Sequence, residues 1–242
     1  MSVLRLASKI LRNPRTVRQY LHYVGISIDP EGSRISKWAF GNIERVRVLD
    51  VFPGIENIDI KILGPFRRKI NMSLDTYEVC VLCAISKFTG ATRIVEIGTY
   101  DGNTTLNLAA NSPKEGVIVT VDLPPTWKGN EFGNVADPDL VGVQFRNHIH
   151  ACKIKQIFCN SADLDTTEIG NNVDLYFIDG CHKYDYVKKD TINALKCTRS
   201  GGLIVWHDYG YLQEVSRVVD EYAETLSAKC IQGTRLAIGF VP

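Results

Sequence analysis

The stretch from Arg93 to Thr105, RIVEIGTYDGNTT, decides the fold. Ile94–Ile97 is an apolar run that ends in Gly98. Gly102 follows, and helix-compatible residues begin. The order is strand, tight turn, helix. Glycine lacks the Cβ that would hold a ligand away from the main chain, so such a turn lets backbone approach one closely. A second apolar strand, Val117–Val121, ends in Asp122. An acid at the tip of the second strand is placed to grip a ribose diol. A dinucleotide fingerprint requires G-x-G-x-x-G. Here Thr99, Tyr100 and Asp101 follow Gly98, and the middle glycine that admits a pyrophosphate is absent. The spacing from Glu96 to Gly102 is E-x-G-x-x-x-G.

Strands and helices alternate on either side of this turn. Strands read as Ile94–Ile97, Val117–Val121, Ile154–Cys159, Leu175–Ile178 and Leu203–Trp206, with helical segments between them. A final pair, Ala228–Gln232 and Leu236–Val241, reads as a terminal hairpin. This alternation predicts an α/β domain whose mostly parallel, doubly wound sheet has seven strands. Residues 1–72 lack the rhythm and read as an accessory cap. Leu4–Leu11 and Val17–Val24 read as short helices broken near Pro14, and Ile58–Leu63 as a strand-like segment ending at Gly64-Pro65. The main domain is placed at 73–242, opening on a helix from Thr76 that Ser73 or Asp75 can cap.

Composition narrows the function classes. The 242-residue chain is 45% hydrophobic with a net charge of +1. That balance, with no basic stripe, argues against nucleic acid as a partner. Met1–Arg18 is basic and partly apolar. It has no apolar run of membrane-spanning length, no secretory core and no small-residue cleavage site, and reads as a surface or dimer-contact helix. Seven cysteines, an odd number without a secretory signal, suggest reduced thiols and a cytoplasmic setting. Cys80 and Cys83 form C-x-x-C inside the apolar helical pattern Tyr77–Phe88. They read as core thiols rather than a redox or zinc pair, because no second pair stands at zinc-finger spacing.

In an open α/β sheet, ligands bind beyond the carboxyl ends of the strands. Gly98 and Asp122 stand there, followed by Asn160, Ser161, Ala162 and Asp163 after the third strand. The fourth delivers Asp179, Gly180, Cys181 and His182, and the fifth delivers His207, Asp208 and Tyr209. Asp179 and Asp208 end adjacent strands, where bare carboxylates repel and a cation relieves them. Oxygen ligands suit Mg²⁺ or Mn²⁺. His182 can take a proton from a hydroxyl near neutral pH. His207 can be a third ligand, a second base or a structural hydrogen bonder. Asp179 as a plain turn acid is the alternative. The long connection from Leu123 to Arg146, with Trp127 and Phe132, reads as a lid or as a surface insertion.

The glycine motif resembles the first motif of class I S-adenosylmethionine-dependent methyltransferases. Tyr100 and the following threonines are similar to the catechol-type and other metal-dependent O-methyltransferase branch. The run VDLYFIDGCHKYDYVKKD, with GGLIVWHDY after it, resembles the D-G-x-H-x-Y-x-x-V-x-x-D and G-G-x-x-x-x-H-D pattern of bacterial sugar and macrolide-sugar O-methyltransferases. The likeness covers roughly residues 73–240. It implies a Rossmann-like fold with an N-terminal helical cap and S-adenosylmethionine as cofactor. By this resemblance Glu96, Gly98, Thr99, Tyr100 and Gly102 match the methionine side. Asp122 and Leu123 match the ribose side, and Ser161, Ala162 and Asp163 the adenine side. Asp179 matches a residue that touches the cofactor and takes part in catalysis, and His182 the general base. Asp179, Asp208 and His207 are the candidate metal ligands, although metal-dependent relatives tend to carry an acid where His207 stands. The implied reaction is O-methylation of a small-molecule or saccharide hydroxyl; the dimer-contact reading of Met1–Arg18 adds a homodimer as one candidate assembly. The rival readings are metal-independent N- or C-methylation, a non-catalytic cofactor-binding subunit and a nicotinamide oxidoreductase.

Overall fold

Alternate residues of the central strands face opposite sides of one sheet, as period-two backbone geometry requires. The structure, a computed structural model, describes residues 40–64, 74–127 and 139–242. The expected helices Leu4–Leu11 and Val17–Val24, Ser73, and Phe132 lie outside the described residues. The strands are β1 (Arg45–Val46), β2 (Arg93–Ile97), β3 (Val117–Asp122), β4 (Ile154–Phe158), β5 (Val173–Ile178), β6 (Thr198–Trp206), β7 (Lys229–Ile231) and β8 (Ala237–Phe240). The helices are α1 (Val48–Val51), α2 (Thr76–Phe88), α3 (Asn103–Asn111), α4 (Thr166–Ile169), α5 (Tyr184–Cys197) and α6 (Gln213–Tyr222).

The strand order is β1-β7-β8-β6-β5-β2-β3-β4. All pairs are parallel except β6 with β8 and β7 with β8. Among the described residues the sheet therefore has eight strands where seven were expected. The addition is the two-residue β1, which pairs Arg45 and Val46 with Cys230 and Ile231 and is too short to leave a periodic signature. The chain winds outward from β2 through β3 to β4, then crosses back to β5 and winds the other way. The switch point lies between β2 and β5, where a ligand crevice opens in such sheets.

Val95, Ile97, Val119, Val121, Tyr176, Ile178, Ile204 and Trp206 share one core with Val187 and Ala194 of α5 and Val215, Val218 and Val219 of α6. Ile94, Ile118, Leu175, Phe177, Leu203 and Val205 share the other with Val79, Leu82, Cys83 and Ile85 of α2 and Leu108 of α3. Cys83 lies wholly inside that core, Cys80 is half-buried, and all seven cysteines are free. Asp75 caps α2 in a reciprocal box: its side chain accepts from Glu78 N at 2.9 Å and Glu78 Oε2 accepts from Asp75 N at 3.3 Å. No helix among the described residues is long and apolar enough to cross a membrane.

The strand-like segment Ile58–Leu63 joins no sheet. Two asparagines of α3 take a partner strand's place. Asn111 Oδ1 accepts from Lys61 N at 2.8 Å while its Nδ2 donates to Lys61 O at 2.7 Å. Asn107 does the same for Leu63, at 2.7 Å and 3.1 Å. Each amide presents one acceptor and two donors, which matches the alternating donor and acceptor of extended backbone.

Candidate functional site

The glycine turn leaves β2 at the switch point. Gly98 has φ +96, Tyr100 +47 and Gly102 +81, all left-handed. Two of the three are glycine because side chains are strained there. At Gly98 the reason is also spatial: a Cβ would stand 2.2 Å from the carbonyl oxygen of Asp179. The turn is thus seated directly on the tip of β5, and Asp179 N donates to Ile97 O at 2.8 Å. A Cβ at Gly102 would meet the Phe145 ring at 2.5 Å.

Asp122 holds this turn from the tip of β3. Its Oδ2 accepts from Thr99 N at 3.0 Å and from Tyr100 N at 2.8 Å, and its Oδ1 accepts from Leu123 N at 2.7 Å. Burial raises its pKa, and the three N–H groups act against that rise. Oδ1 keeps a lone pair for a ribose hydroxyl, so the residue can serve turn and ligand together.

Glu96 lies beneath the turn rather than on its rim, at 1% exposure. Its Oε2 accepts from Thr105 Oγ1 and, at 2.6 Å, from Thr120 Oγ1. Thr120 in turn meets Thr99 Oγ1 at 2.7 Å. Burial pushes the Glu96 carboxyl up to about 8, with the two threonines opposing the shift. Beyond β4, Ser161–Asp163 form a short 3-10 turn capped by Asn160, with Ser161 and Ala162 half-buried and Asp163 exposed. The described end of the long connection packs on the glycine turn: Gly142 N donates to Tyr100 O at 2.8 Å and Gln144 N to Asp101 O at 2.9 Å. Trp127 is half-buried at the other end.

The acids and bases gather at the tips of β5 and β6. His207 is buried, with Nδ1 2.8 Å from Asp179 Oδ1 and Nε2 3.2 Å from Glu78 Oε2. Arg235 reaches in from the turn before β8. It donates through Nε to Glu78 Oε1 at 3.0 Å, through Nη2 to Glu78 Oε2 at 2.8 Å, and through Nη1 to Asp208 Oδ1. Asp208 has φ +60, a left-handed conformation that turns its carboxylate into this cluster. His182 lies over it with 43% of its side chain exposed, its Nε2 3.3 Å from Asp208 Oδ2 and 3.6 Å from Asp179 Oδ1.

Charge neighbours override burial throughout. Burial alone would lower the His207 pKa, but Asp179, Asp208 and Glu78 push it up to about 10. Burial would raise Glu78 and Asp179. His207 and Arg235 hold the first well below the carboxylate range, and His207 and His182 hold the second below it. Burial lowers His182 less than Asp179 and Asp208 raise it, so the net shift is upward.

The structure thus brings Asp179, His182, His207 and Asp208 together beside Gly98, Tyr100 and Asp122. Sequence reading missed Glu78 and Arg235. A glutamate inside the apolar pattern of α2 and an arginine directly before an apolar strand were the available signals.

Parts of this sequence and its fold are similar to known proteins. Residues 95–209 match the model of a methyltransferase-domain family. A stretch of 121 residues is 32% identical to an uncharacterized protein of Acanthamoeba polyphaga mimivirus, covering 48% of this chain and 50% of that protein. The chain thus spans about half the length of that relative. Among solved structures, an O-methyltransferase of Bacillus cereus, determined with S-adenosylhomocysteine, aligns at TM-score 0.58 and 19% identity over 94% of this chain and 97% of its own. The O-methyltransferase TomG of Streptomyces achromogenes, determined with S-adenosylmethionine, aligns at TM-score 0.57 and 16% identity over 82% and 91%. Residues 95–209 thus resemble a methyltransferase domain, and the fold that carries them is the Rossmann-like α/β fold of these O-methyltransferases.

Proposed function

We propose that this chain transfers a methyl group from S-adenosylmethionine to a hydroxyl of a small-molecule or saccharide acceptor, with His182 as general base. The observation that carries the reading is the exposed His182 imidazole, resting on two more buried carboxylates beside the glycine turn. The residues present suit the cofactor. Gly98, Tyr100, Asp122, Leu123, Ser161 and Ala162 form a half-buried rim along the strand tips. When bound, the cofactor supplies a methyl group on a positively charged sulfur that leaves as a neutral thioether.

The chain must then supply a placed and deprotonated acceptor oxygen. Asp208 and Asp179 both face His182 Nε2, which favours the proton on that nitrogen and leaves the Nδ1 lone pair free. Nδ1 would take the proton of the acceptor hydroxyl and so leave a deprotonated oxygen for the methyl group the cofactor would supply. The carboxylates stabilise the resulting imidazolium, the same division of labour as in an acid–histidine pair elsewhere.

Calorimetry with S-adenosylhomocysteine and transfer of labelled methyl to a panel of sugars and catechols test this. His182→Ala should lower turnover by about 10²–10⁴-fold and leave S-adenosylhomocysteine affinity nearly intact. Full turnover in that variant would remove the base role. No binding of S-adenosylhomocysteine would remove the reading altogether.

A further inference from the structure

The O-methyltransferase branch that the sequence resembles implies a divalent cation between the acids at these strand tips. The residues present do not fit one. His207 faces a carboxylate with each ring nitrogen, at 2.8 Å and 3.2 Å. Two acceptors require two N–H donors, so no lone pair is left to bind metal. One oxygen of Asp179 accepts from His207 and one oxygen of Asp208 accepts from Arg235. Asp179, His182 and Asp208 still place one atom each within 4.8 Å of one another. An ion there would sit among carboxylates most of whose charge is already compensated. The three acids Glu78, Asp179 and Asp208 face the guanidinium of Arg235 and the imidazolium of His207, which leaves one negative charge beneath His182.

We infer that this site works without a divalent cation, and that His207 and Arg235 supply from within the chain the positive charge a metal would bring. The inference rests on the methyl-transfer reading for its chemistry, but its charge arrangement stands on the contacts alone. It assigns Glu78 a positioning role. Far from the strand tips in sequence, Glu78 binds both cations and so holds them against the two aspartates. The single remaining negative charge suits a base: His182 accepts a proton and the cluster becomes neutral.

Electron paramagnetic resonance of Mn²⁺ with the full chain tests this directly, because free aquo-Mn²⁺ loses its signal on binding. The chain should show no stoichiometric Mn²⁺ binding at concentrations on the order of 100 µM, with or without S-adenosylhomocysteine. Methyl transfer should be equal in chelator and in Mg²⁺. His207→Asp removes the imidazolium and adds a carboxylate, and should raise Mn²⁺ affinity by about tenfold or more. Stoichiometric Mn²⁺ binding to the parent chain that Asp208→Asn abolishes would overturn the inference, whether or not His207→Asp folds. S-Adenosylhomocysteine titration separates the two failures. A chain that binds both ligand and Mn²⁺ keeps the methyl-transfer reading and loses this one. A chain that binds neither loses the methyl-transfer reading and keeps the charge assignment.

Discussion

Glu96, a residue of the glycine motif, is buried beneath the turn it belongs to. Its position was legible in E-x-G-x-x-x-G, but its environment was not, because burial comes from α3 and β3 closing over it. Since its pKa is raised to about 8, the folded chain keeps a proton that the unfolded chain releases near 4.5. Stability therefore falls as pH rises through that window. Glu96→Gln cannot titrate and keeps a carbonyl for Thr105 and Thr120. Its stability relative to the parent should grow by about 1.4 kcal/mol per pH unit between 4.5 and about 8, read from urea unfolding at several pH values. A constant difference would mean that Glu96 titrates normally. Asp122 was equally legible as a strand-tip acid. Its three N–H partners were not, since they depend on how the turn folds back. Glu78 and Arg235 are 157 residues apart in sequence, and no local pattern couples them.

At the scale of elements, the parallel strands were read to within a few residues because buried strands have continuous apolar runs bounded by turns. The exceptions lacked that signal. The strap at 58–63 looks like a strand and is extended, but the backbone groups of Lys61 and Leu63 bond to side chains of α3. Asparagines four residues apart on one helix face, Asn107 and Asn111, are the trace this leaves in the sequence. Replacing Asn107 by alanine leaves Leu63 N–H and C=O without these partners. It should cost about 1–3 kcal/mol. Amide exchange at Leu63 should accelerate while exchange in β5 stays unchanged under native conditions. Unaltered exchange at Leu63 would show that the asparagine does not hold the strap.

Across the whole molecule, the buried ion network joins α2, the tips of β5 and β6, and the turn before β8. The topology could be argued from the alternation of strands and helices. That the network also fastens α2 to the last strands could not. Its pH signature has a definite sign. The folded-state pKa of His207 is raised above 6.5, so its stabilisation is complete below that pH and is lost as pH climbs toward about 10. Guanidinium unfolding should show stability dropping by up to about 1.4 kcal/mol per pH unit across this window from this group. His207→Gln should flatten the drop. An identical slope in parent and variant would place the titration elsewhere.

The seat of Gly98 on the Asp179 carbonyl bears on how substitutions at this site can be interpreted. Any larger residue at Gly98 pushes on the main chain that carries Asp179, with or without a ligand in place. A scan of variants would record the same failure whether the assay followed ligand capture, turnover or folding. Intolerance at this position is therefore a measure of main-chain fit between two strands. Evidence for what the turn binds has to come from neighbours with room to change, such as Leu123 and Ala162.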